Sequence, residues 1–73
     1  MTREEIVERL KKGDRFYNPN TGGNVIMSII EWDGVGENAR ALCQNTTGCA
    51  WEEDWDDMRF TINAFLIGEY KFV

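Results

Sequence analysis

Residues 49–57 read CAWEEDWDD, so that Trp51, Glu52, Glu53, Asp54, Trp55, Asp56 and Asp57 follow one another. Carboxylates this dense can ligate a hard cation, imitate nucleic-acid phosphates, draw in a basic partner, or stay solvated in a turn or edge strand. Calcium loops space their ligands in a fixed pattern, with a glycine at the sharp turn and a distant bidentate Glu. This stretch has no interior glycine and fits no such spacing, so neither a metal nor another cofactor is expected. Two readings remain. Charge runs are commonly solvated, and acids on a turn or edge discourage stray strand pairing. Aromatic side chains, in contrast, give large buried area at interfaces, and an acidic rim steers a basic partner onto them. On this second reading residues 51–57 form the partner-binding site, with Tyr17 and Trp32 as further candidate members of the aromatic face.

Other residue types narrow the chemistry. The chain has no histidine, which removes the commonest general base and metal ligand and excludes Ser–His or Cys–His nucleophiles. Ser28 is the lone serine and falls inside a predicted core strand. Paired carboxylates that cleave glycosides need a cleft holding them at fixed separation, which a domain this small can barely build. The chain therefore reads as non-enzymatic. Gly34, Gly36 and Ala39 in GVGENA match the dinucleotide fingerprint G-x-G-x-x-G/A. That motif requires a following helix whose N-terminus meets the pyrophosphate, and the short remainder before CQNTTG leaves no room for one. A hairpin turn is expected instead. Cys43 and Cys49 match no zinc framework. A hairpin with a five-residue loop would set them face to face and a four-residue loop would not; in a reducing compartment free thiols are expected.

The net charge is −5 at pH 7, and it resides in the five acids of residues 52–57, since the other eight acids are balanced by the eight Lys and Arg residues. A nucleic-acid binder needs a basic footprint that displaces counterions from phosphates, so no nucleic-acid partner is expected. No apolar run approaches the roughly 20 residues that span a bilayer. The charged start MTREEIVERLKK lacks the apolar region of a signal peptide, which predicts a cytoplasmic protein without a membrane partner.

The elements that must position these residues follow from periodicity. Residues 1–13 predict a helix: Thr2 and Glu5 form a capping-box pattern, Ile6, Val7 and Leu10 make one stripe, and Gly13 ends it. DRFYN, VIMSIIEW, NARALCQ and EYKFV read as short strands separated by Gly- and Asn-rich turns. VIMSIIEW is apolar on both faces, which predicts cover on both, by the helix and by an opposing sheet. Ile62, Phe65 and Leu66 predict a helical turn capped by Thr61 before the last strand. The 73 residues form a single domain, residues 1–13 helical and residues 14–73 a barrel-like sheet. The expected core is Ile6, Leu10, Phe16, Val25, Met27, Ile29, Leu42, Phe60, Ile62, Phe65, Leu66 and Phe72. KKGDRFY, VIMSII and the ending FLIGEYKFV together resemble small uncharacterised proteins of phage and mobile genetic elements. That resemblance implies an α+β fold: an N-terminal helix on a small antiparallel SH3-like barrel or strongly bent sheet, with a helical turn before the last strand. The function expected is a non-catalytic interaction module of a phage or mobile element that binds a protein with a basic surface. The alternative is a structural or assembly protein, such as a homodimer that hides an exposed tryptophan.

Overall fold

The computed structural model describes residues 1–21, 25–35, 38–47 and 50–73, with residues 47, 50 and 51 described by their backbone alone. The chain is a small α+β domain in which helices α1 (Arg3–Lys11) and α2 (Met58–Leu66) join five strands: β1 (Phe16–Tyr17), β2 (Val25–Asp33), β3 (Arg40–Thr47), β4 (Ala50–Asp57) and β5 (Lys71–Phe72). Helix α1 forms where local signals place it. Glu5 N donates to Thr2 Oγ1 at 3.2 Å and Thr2 N to Glu5 Oε1 at 3.0 Å, so two otherwise unpaired amides are satisfied reciprocally. Gly13, at φ +82°, turns the chain out of the helix in a conformation that costs glycine little. Its neighbour Asp14 accepts from Arg9 Nε at 2.7 Å, and the Arg9 guanidinium lies 3.9 Å from the centre of the Phe72 ring.

The strands form one antiparallel sheet in the order β4-β3-β2-β1-β5. It is open, with β4 and β5 at its two edges, so the SH3-like closure expected from the resemblance is not seen. The reason lies in α2. It starts where β4 ends and delivers the chain to β5 at the far edge, and its buried Met58 and Ile62 pack among the sheet residues Phe16, Ile29, Ala41 and Cys43. The helix thus fills the space that a closed barrel would enclose.

Ladder register sorts the side chains by face. Phe16 pairs with Phe72 and Met27, Met27 with Asn45, Ile29 with Cys43, and Trp32 with Ala41; these residues face the helices. Between Ile29 and Glu31 the register shifts, leaving Ile30 as an extra, bulged residue. Without that bulge, strict alternation would send Trp32 to the opposite face. The outer face of β2 has no opposing sheet among the described residues, contrary to the expectation of cover on both sides. Ile30 is accordingly 49% exposed, while Ile26 and Ser28 are only half-buried.

Of the expected core, Ile6, Leu10, Phe16, Ile29 and Ile62 are buried, and Met27, Phe65 and Phe72 pack against them half-buried. Phe60 and Leu66 are corrections, at 75% and 42% exposure. Helix α2 begins at Met58 under an Asp57 cap, not after Thr61. Its inward positions are therefore Met58, Thr61, Ile62 and Phe65, and Phe60 turns to solvent. Val25 and Leu42 are half-buried, and the core gains Ala39, Ala41, Cys43, Met58 and Ala64. Gly34 follows β2 at φ +111°, and a Cβ built there would stand 2.9 Å from Ala39 Cα. GVGENA is thus part of the connection from β2 to β3, which starts at Arg40. Among the described residues no α-helix follows Gly34 before that strand; Gly36 and Glu37 lie outside the described residues.

Candidate partner-binding surface

The acidic stretch is neither a turn nor a loop. It is an edge strand, paired along its length with β3: Thr47 with Ala50, Thr46 with Trp51, Asn45 with Glu52, Gln44 with Glu53, Cys43 with Asp54, Leu42 with Trp55, Ala41 with Asp56 and Arg40 with Asp57. Acidic residues are poor strand formers, so pairing with the Leu- and Cys-containing β3, not propensity, makes β4 a strand.

A strand's period of two then divides the carboxylates. Glu52, Asp54 and Asp56 pair with β3 positions of the helix-side face, while Glu53, Trp55 and Asp57 pair with positions of the outer face. The structure therefore does not gather the five acids into one cluster. Among the described residues no three His, Cys, Asp or Glu side chains come together as a metal site.

Each acid has its own circumstances. Asp57 is the N-cap of α2. Its Oδ1 accepts from Arg59 N at 2.9 Å, and its Oδ2 accepts from Arg59 Nη2 at 2.8 Å. These contacts with Arg59 hold the Asp57 carboxyl below the usual carboxylate range. Asp54 Oδ1 accepts from Trp55 N at 3.0 Å. Asp56 is pushed the other way, first by burial and then by the neighbouring charge of Asp54, and no cation among the described residues offsets it. Glu52 and Glu53 are exposed.

The aromatic residues separate too. Trp55 is 38% exposed, with the Arg40 guanidinium 5.2 Å from its ring centre. The row Glu31–Leu42–Trp55 crosses three strands of the outer face. Trp32 lies on the other face, with the Lys11 ammonium 5.1 Å from its ring centre. Tyr17 sits three strands from β4 in the sheet order, a separation of about 14 Å at ordinary strand spacing. Trp32 is on the opposite face from Trp55, and Tyr17 is too far along the sheet to form one patch with it. The side chain of Trp51 lies outside the described residues.

Sequence reasoning missed the cleft where β4 meets α2. It measures about 410 Å³ and is lined by Asp56, Phe60, Thr61, Ile67, Glu69 and Tyr70 among others. Phe60 and Ile67 are strongly exposed at 75% and 76%, so apolar side chains stand beside carboxylates there. The signal in the sequence was Phe60 itself, once the helix frame is counted from Asp57.

Cys43 is a free thiol, 3% exposed, whose Sγ donates to Asn45 Oδ1 at 3.4 Å. Pairing of Cys43 with Asp54 is not the register that would set Cys43 opposite Cys49; Cys49 lies outside the described residues.

Because Asp57 caps α2, Asp57→Ala should lower the thermal midpoint by roughly 4–8 °C, as losing a good cap does in a small domain. The Asp57 carboxyl is depressed in the folded state, so its contribution is present above the unfolded-state value and fades as pH falls through the folded one. The gap between variant and wild type in thermal melts should therefore narrow as the pH drops through the carboxylate range. A gap that stays constant with pH would assign Asp57 no charge-dependent role. Compared with known proteins, the chain matches no family model, no curated protein and no solved structure.

Proposed function

We propose that this protein is a small non-catalytic interaction module that binds a partner with a basic surface through β4. The observation that carries this reading is the placement of the chain's unbalanced negative charge on an unpaired sheet edge, beside the exposed Trp55. Steering by such a charged edge raises association rates, while an aromatic anchor slows dissociation. The sequence resemblance to phage and mobile-element proteins supports an accessory role of that kind, acting in the cytoplasm. No described helix is long and apolar enough to cross a membrane.

The test neutralises Glu52 and Glu53 to Gln and Asp54 and Asp56 to Asn, and keeps Asp57 because it caps α2. Surface changes of this kind alter stability by about 0.5 kcal/mol or less each. Association with a basic protein isolated by pull-down on the wild-type chain should slow about tenfold or more at low salt, with the difference shrinking as salt is added. Surface-plasmon kinetics at low and high salt measure this, and unchanged rates at both would remove β4 as the binding site. Trp55→Ala should act on the dissociation rate instead.

A second reading rests on the uncovered outer face, where Ile30 and Trp55 are exposed: a structural protein that self-associates there. Sedimentation velocity over a concentration series distinguishes the two, since the interaction module stays monomeric without its partner.

A further inference from the structure

We propose that β4 binds its partner by strand addition, taking up an extended segment whose every second residue is Lys or Arg as a sixth strand of the sheet. The inference rests on the reading of β4 as the partner-binding edge and specifies how the partner engages it. Strand β4 spans Ala50–Asp57, longer than an average strand, and among the described residues β3 is its one strand neighbour. Its other side therefore presents a row of backbone N–H and C=O groups that an extended chain can pair with.

Charge selects which chain. Pairing β4 with β4 of a second copy would set Glu52, Glu53, Asp54, Asp56 and Asp57 against one another, and like charges directly opposite are destabilising. The remaining edge, β5, is only the two residues Lys71–Phe72, too short to hold β4 of another copy. The edge is thus closed to self-pairing and open to a strand of opposite sign.

Alternation fixes the pattern such a strand must carry. Glu52, Asp54 and Asp56 lie on the helix-side face, so basic residues at every second position of the incoming strand fall beside them. The intervening positions lie on the outer face along Glu53, Trp55 and Asp57; Asp57 is already paired with Arg59, and an apolar or β-branched residue fits against the Trp55 ring. The helix-side face also holds the cleft between β4 and α2. A Lys or Arg entering it would lay its aliphatic stem along the exposed Phe60 and Ile67 and bring its charge to Asp56 and Glu69. Long basic side chains use apolar surface in this way. Among the described residues no salt bridge engages Asp56, whereas Asp57 is paired with Arg59.

The experiment uses the intact chain and two synthetic peptides of identical composition. One alternates lysine with valine or threonine, and the other carries the same lysines in one block. Calorimetry at low salt should show the alternating peptide binding about tenfold more tightly. N-methylation of one set of alternate residues, which removes the amides that pair with β4, should weaken binding to the level of the block peptide, while N-methylation of the other set leaves it. Hydrogen exchange at the β4 amides should slow only with the alternating peptide, and Asp56→Asn should weaken that peptide several-fold. If the two peptides bind equally and neither N-methyl series matters, strand addition is overturned while β4 stands as a charged recruiting surface. If neither peptide binds at low salt, both the mode and the binding edge fall.

Discussion

Phe16→Ala should remove a large share of the protein's stability, whereas Phe60→Ala should leave it nearly unchanged. Phe16 is 1% exposed and sits in the short strand β1. Its ring centre lies 5.3 Å from that of Phe65, 5.5 Å from Tyr70 and 6.5 Å from Phe72. It therefore joins the segment running from α2 to β5 to the rest of the sheet. Truncating a buried phenylalanine costs about 3–5 kcal/mol, from lost transfer energy and the cavity left behind. A domain of 73 residues has a total stability of roughly 4–11 kcal/mol at ordinary values per residue. The loss is thus a large share of the whole. Urea unfolding followed by circular dichroism should show the midpoint of Phe16→Ala collapsing towards zero denaturant. Phe60, at 75% exposure, should shift stability by about 0.5 kcal/mol or less. A Phe60→Ala loss as large as that of Phe16→Ala would mean that the frame of α2 is wrong, and with it the cleft beside β4.

A second large effect should appear on the alkaline side. Burial, followed by the charge of Asp56, pushes the Cys43 thiol up to about 11 from an ordinary value near 9, against a lowering contribution from a hydrogen bond with the Ser28 backbone. Between those values the unfolded chain has released the thiol proton and the folded chain still holds it. Fewer protons are then bound in the unfolded state, so stability falls as pH rises. Two pH units correspond to about 2–3 kcal/mol lost between pH 9 and 11. Tyr70 is also raised, chiefly by burial and then by Glu69, and adds to the decline at its upper end. Cys43→Ala should flatten the profile measured by urea unfolding across this range, leaving the Tyr70 part. A profile identical to wild type would show that the thiol does not stay protonated in the core. The same burial should make Cys43 resist alkylation in the native protein and react once it is unfolded.

The elements set by neighbours in sequence were legible from sequence alone. Thr2, Glu5 and Gly13 bound α1 because capping and helix ending are decided within one turn of chain. VIMSIIEW reads as a strand because its β-branched side chains favour extended backbone. The concentration of net charge in residues 52–57 is likewise a matter of composition. What the sequence left open was everything that depends on a partner strand. Asp57 looked like one more acid of a cluster until α2 began directly after it, and that one offset carried Phe60 from the expected core to solvent. The bulge at Ile30 put Trp32 and Trp55 on opposite faces, which no period read along β2 could show.

The acidic stretch itself is the clearest division between the two sources of structure. Its residues disfavour a strand, and only the ladder with β3 makes it one. That ladder forms because Ala41 and Cys43 of β3 are buried in the common core and hold the backbone where β4 can pair with it. Once paired, the pleat sends successive carboxylates to opposite faces, so a run that is continuous in sequence becomes two separate rows in space. The number and sign of the charges were fixed by the chain, and their division between a helix-side cleft and an outer aromatic face was fixed by long-range pairing.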